Sequence, residues 1–139
     1  METDTQAENP YSPGHPWFYV LGGTPLRPKQ IAAGVRKRGY RGYGQHEIEK
    51  AARKAEPTRS SALRAIRADA REALFADLSV YRRVVRTLRE FRAEKAGTPA
   101  AFADVHQSVS LKHNHLYNDF ARLIWLDELL TEQRDLFDL

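Results

Sequence analysis

The sequence predicts a mainly α fold: a small helical bundle of four to five helices, one of them long and central, with an extended N-terminal anchor. Three observations predict it. Apolar residues step by three or four positions from Leu63 through Ile66, Ala70, Leu74, Leu78, Tyr81 and Val85 to Leu88, which lines one face of an α-helix. No Gly or Pro interrupts that seam before Gly97. A second helical pattern, apolar on more than one side, runs from about His115 to Phe137.

The elements follow in order. Residues 1–16 hold three prolines among polar residues and read as a disordered tail, leaving 17–139 as a single helical domain. Trp17-Phe18-Tyr19-Val20-Leu21, ended by Gly22-Gly23, suits a short strand or an extended anchor lying on the helical core. Pro28 is a first-turn residue, and a helix from there to about Arg38 turns Ile31 and Val35 inward, with Gly39 placed to end it in a left-handed conformation. A second short helix is expected from about Gln45 to Ala55, with Ile48, Ala51, Ala52 and Ala55 inward and Pro57 as its stop. Ser60 or Ser61 then caps the long helix, which is expected to reach about Lys95, roughly 50 Å, with a break near Ser79 as an option. Thr98-Pro99 restarts the chain, and the polar stretch HQSVSLKHNH (106–115) is expected to be partly loop. In the last helix Leu116, Phe120, Leu123, Ile124, Leu126, Leu129 and Leu130 make the most buried element.

Charge is segregated along the chain. Residues 1–26 carry three acids and no base; residues 27–95 carry 19 bases and 8 acids, a net +11; residues 96–139 carry 3 bases and 7 acids, a net −4. A basic middle between acidic ends suggests a polyanion-binding surface, unless the acidic C-terminal block folds back to neutralise it.

On a helix advancing about 100° per residue, Arg64, Arg67, Arg71, Arg82, Arg86 and Arg89 share a strip about 100° wide beside the apolar seam. Within the strip only Arg86 and Glu90 form an opposite-charge i, i+4 pair, whereas Arg67–Arg71 and Arg82–Arg86 are like-charge pairs. The strip therefore needs a partner from elsewhere. Either a nucleic-acid backbone supplies it, or the acids of the last helix do: Asp119, Asp127, Glu128, Glu132 and Asp135.

A second basic feature is GVRKRGYRGYG at 34–44, with four glycines, four bases and two tyrosines. Its glycine amides can face an anion, Arg36, Lys37, Arg38 and Arg41 add charge, and Tyr40 and Tyr43 can stack on bases or pack on the core. Lys50, Arg53 and Lys54 extend this basic set along the second helix. Two short helices around a Gly-rich turn resemble a helix-turn-helix module, but the Gly39–Gly44 connector is longer than that motif uses. The glycines match neither a phosphate-binding GK[ST] loop nor GxGxxG after a strand.

Several classes are disfavoured. With no cysteine there is no disulfide framework and no thiolate metal site. No apolar run approaches the roughly 18–20 residues that span a bilayer, and METDTQAENP is the opposite of a signal peptide; a cytoplasmic protein is expected. Among His15, His46, His106, His113 and His115, His115 could share a metal with Asp119 at i, i+4, and His106 and His113 lie on one face seven apart. No stronger ligand signature and no placed acid–base pair accompany them, so neither a metal, nor a cofactor, nor enzymatic activity is expected. The sequence reads as a non-enzymatic nucleic-acid-binding protein, for DNA or RNA, acting as a small regulator or as a subunit of a nucleoprotein complex. The alternative is a protein-interaction module, an adaptor, inhibitor or phage-type accessory protein. It would use Trp17 to Tyr19 and the acidic Leu-rich end, where Leu126, Leu129, Leu130 and Phe137 suit a groove or a homodimer seam.

Overall fold

The computed structural model describes residues 25–94 and 99–138. Four helices account for nearly all of them: α1 (Pro28–Arg38), α2 (Gln45–Ala52), α3 (Thr58–Glu94) and α4 (Pro99–Asp138). No strand occurs among the described residues, and the fold is mainly α, a small helical bundle with a long central helix. The expected anchor at Trp17–Leu21, the tail at 1–16, Lys95 and Thr98 lie outside the described residues.

Two compact units share the long helices. One draws on residues 28–78 and 114–138, hence on α1, α2 and the adjoining parts of α3 and α4. Its core is a cluster of Ile48, Ala51, Leu63, Ile66, Ala70, Trp125 and Leu126, with Leu123, Leu129 and Leu130 packed against it. Leu63 and Leu126 are both 0% exposed, and each such side chain contributes about 1.5–3 kcal/mol by leaving water. The other unit draws on residues 25–27, 79–94 and 99–113. There Tyr81, Val85, Leu88 and Val109 are buried, and the Tyr81 hydroxyl donates to the Leu26 carbonyl, tying the segment before α1 to α3.

The apolar seam of α3 is buried at every predicted position except Leu78, which is half-buried. Several boundaries differ from expectation, each for a local reason. α2 ends at Ala52, not near Ala55, and Ala55 is exposed. Its last turn tightens, with Lys54 N–H donating to Ala51 O at 3.2 Å, and Arg59 Nε caps the freed Ala52 carbonyl at 3.0 Å. Pro57 therefore opens the next helix more than it stops this one. α3 begins at Thr58, and neither Ser60 nor Ser61 caps it. Instead the Glu56 carboxylate accepts from the Ser60 amide (2.9 Å) and the Ser60 hydroxyl (2.7 Å), satisfying an amide that the first turn leaves orphaned.

No break occurs at Ser79; with no Gly or Pro within it, α3 runs unbroken for 37 residues. The stretch 106–115 is helical throughout. Val109 (3% exposed) and Leu116 (0%) lie seven apart on one face and anchor the stretch by burial, which outweighs its polar composition.

Candidate nucleic-acid interface

The α1–α2 connector is a fitted loop. Gly39, Gly42 and Gly44 all have positive φ (66°, 72° and 76°), a region other residues enter at a cost. Gly39 ends α1, its amide donating to Val35 O at 2.9 Å, so that amide is not available to an anion. Gly42 is buried against α4: a Cβ there would stand 2.7 Å from Asn118 O and 3.2 Å from the Ala121 Cβ. Only a residue without a side chain lets the connector approach α4 this closely.

That approach distributes the loop's side chains. The Tyr40 hydroxyl donates to Asn118 Oδ1 at 2.8 Å, and its ring lies 5.2 Å from that of Tyr117, a tilted aromatic pair. The Arg41 guanidinium sits 4.7 Å over the Trp125 ring, within cation–π range, and that of Arg38 lies 6.0 Å over Tyr117, at the edge of it. Tyr40 thus packs on α4 while remaining 42% exposed, whereas Tyr43, at 67%, stands in solvent. Beneath the loop, Arg122 on α4 reaches toward Glu47 at 4.0 Å, and its buried Nε has no hydrogen-bond partner among the described residues. Neither Arg122 nor Trp125 is among the site residues the sequence singles out. The available signal was a base and an indole inside an otherwise aliphatic helical run.

Between the connector, α2 and α4 lies a cleft of about 340 Å³, lined by Arg41, Glu49, Ala52, Arg53, Trp125, Glu128 and Leu129. Arg53 pairs with Glu49 at 3.8 Å, one turn apart and largely exposed, a contact of little energetic weight. Arg36, Lys37, Lys50 and Lys54 are exposed, with no acidic partner among the described residues.

The arginine strip of α3 divides between the units. In the unit that holds α1 and α2, Arg64 and Arg71 are exposed, and Arg71 lies 5.3 Å over the ring of Phe75. Arg67 differs: it is half-buried, and its Nε donates to Asp127 Oδ1 on α4. In the other unit Arg82, Arg86 and Arg89 are exposed. Apart from Arg67, these arginines have no acidic partner among the described residues, and the expected Arg86–Glu90 pair is not formed. Of the acids expected to neutralise the strip, Asp127 engages it; Glu128 instead lines the cleft, and the side chains of Glu132 and Asp135 lie outside the described residues.

The histidines of α4 present no comparable site. His106 lies 3.4 Å from Ser110 Oγ, and burial pushes its pKa below the ordinary 6.5. Among the described residues no three His, Cys, Asp or Glu side chains gather as metal ligands would, and no helix is long and apolar enough to cross a membrane. Comparison with known protein families, curated proteins and solved structures finds no match to this chain.

Proposed function

We propose that the protein is a non-enzymatic nucleic-acid-binding protein that holds phosphate backbones through the arginines of α3 and the basic segment from Arg36 to Lys54. One observation carries this reading: five of the six strip arginines, Arg64, Arg71, Arg82, Arg86 and Arg89, are exposed without an acidic partner among the described residues. Like charges on successive turns cost a helix a few tenths of a kcal/mol per pair. A polyanion offsets that cost, because each guanidinium matches phosphate oxygens in a two-pronged geometry and its binding releases condensed counterions. Guanidinium–phosphate contacts carry no base information, so the reading is sequence-independent binding, in a small regulator or in a subunit of a nucleoprotein complex acting in the cytoplasm.

The test follows from the odd member of the strip. Oligonucleotide affinity, measured by fluorescence anisotropy at low salt, is expected to fall severalfold in Arg64→Ala and Arg71→Ala and to stay within twofold in Arg67→Ala, whose guanidinium is held by Asp127. Equal losses at all three positions would overturn the assignment, as would no binding by the unaltered protein.

A protein partner rests on a different observation. Phe75 and Leu111 are 54% and 53% exposed, large apolar side chains that a partner would cover. Of the residues named for a C-terminal seam, Leu126 is fully buried in the chain's own core and Leu129 and Leu130 pack against it. Light scattering after gel filtration distinguishes a monomer from a homodimer.

A further inference from the structure

The cleft beside Trp125 combines three kinds of surface: an indole ring, two guanidinium groups from Arg41 and Arg53, and two carboxylates from Glu49 and Glu128. Its volume of about 340 Å³ is at the small end of ligand-binding pockets. Trp125 is only 5% exposed, and the Arg41 guanidinium lies over its ring. That cover can move. Arg41 is exposed and has no acidic partner among the described residues. The loop backbone beside it is pinned by Gly42 against α4, so the side chain can swing while the connector stays in place.

We propose that this cleft seats one nucleobase of a single strand, which displaces Arg41 from the indole and stacks in its place. The proposal rests on the nucleic-acid-binding reading above and adds to it the state of the strand and a base contact. A base is flat and polarisable, as the guanidinium is, and stacking on an aromatic ring tolerates any base. Glu49 and Glu128 favour a base with an exocyclic amine, which donates to a carboxylate. Glu49 is free to exchange partners, because its contact with Arg53 is long and solvated. Arg41 and Arg53 remain at the mouth for the flanking phosphates. A simple anion fits less well: two carboxylates repel it and the indole gives it nothing. A duplex fits less well too, since its bases are stacked and paired out of reach.

The chain has two tryptophans, Trp17 and Trp125, so a Trp17→Phe background leaves Trp125 as the sole indole reporter. Labelled oligonucleotides are titrated while anisotropy and Trp125 emission are read together. The ligands are a cytosine-rich single strand, an abasic strand of equal length, a duplex and free cytidine monophosphate. The single strand is expected to quench Trp125, and the abasic strand to bind about tenfold more weakly or worse without quenching. Glu49→Gln combined with Glu128→Gln is expected to erase a preference for cytosine over thymine strands. Arg41→Ala is expected to red-shift Trp125 emission in the free protein. Equal binding of base-bearing and abasic strands with unchanged emission overturns the base seat and leaves the phosphate reading standing. Equal quenching by the duplex overturns the single-strand assignment. Quenching by cytidine monophosphate with no strand bound supports the seat and overturns the nucleic-acid reading.

Discussion

Replacing Gly42 by alanine tests whether the basic connector is a fitted part of the structure or only a link between two short helices. Two costs add at this position. A φ of 72° places a side-chain-bearing residue in the left-handed region, which costs about 1–2 kcal/mol. The new Cβ also meets Asn118 O at 2.7 Å and the Ala121 Cβ at 3.2 Å, both on the rigid body of α4, and such overpacking costs about 1–3 kcal/mol more. Gly39 supplies the control. Its φ of 66° is nearly the same, but a Cβ there meets nothing within 4 Å, so Gly39→Ala should lose only the first term, about 1–2 kcal/mol. Urea unfolding followed by far-ultraviolet circular dichroism reads the difference as a shift in midpoint at constant slope. Gly42→Ala should be the less stable variant by about 1–3 kcal/mol. Under conditions where both variants are folded, Gly42→Ala should also bind oligonucleotides more weakly, because the displaced connector carries the Arg41 guanidinium away from the cleft, where it would meet the flanking phosphates. Equal stability of the two variants would refute the docking of the loop on α4.

Three further outcomes are expected. Arg67→Ala should cost no more than about 1 kcal/mol in urea unfolding, because its pair with Asp127 is partly solvated, with side chains 35% and 49% exposed. Tyr40→Phe should cost about 0.5–1.5 kcal/mol through loss of the bond to Asn118, and Tyr40→Ala more, through loss of the contact with the Tyr117 ring. His106 has a folded-state pKa below its ordinary 6.5, so near that pH the unfolded chain binds the extra proton first. Stability should therefore fall as pH drops below about 6.5 and level off once the folded form is protonated too. That component should vanish from the pH profile of His106→Gln.

What the sequence made legible was whatever depends on neighbours along the chain. The step of three or four residues from Leu63 to Leu88 marked the buried face of α3, and Pro28 and Gly39 marked the ends of α1, because periodicity and backbone preference are local properties. Contacts between distant segments left no such trace. Nothing around Gly42 signals that it will lie on Asn118 and Ala121, and nothing around Arg67 singles it out from the other strip arginines as the partner of Asp127. The caps differ from expectation for a related reason. Serines at the start of a helix are common N-caps, but here a glutamate before the cis Glu56–Pro57 bond bonds the Ser60 amide, and an arginine from the next helix closes α2. The stretch 106–115 is loop-like in composition, yet it is helical, with Val109 and the adjoining Leu116 buried on one face. The candidate site was half visible for the same reasons: its charges could be read from the sequence, while the Trp125 floor and the glutamate rim of the cleft exist only once α2, the connector and α4 meet.

The most direct test of the central claim is the salt dependence of oligonucleotide affinity. If the five exposed arginines of α3 each neutralise one phosphate, they should contribute about −3.5 to the log–log slope for a single strand and about −4.5 for a duplex, and the basic segment from Arg36 to Lys54 should steepen it further. Replacing Arg64, Arg71, Arg82 and Arg86 together by alanine should flatten it by about three units or more. A slope that the fourfold variant leaves unchanged, or no binding at low salt, would contradict the claim that these arginines bind phosphates.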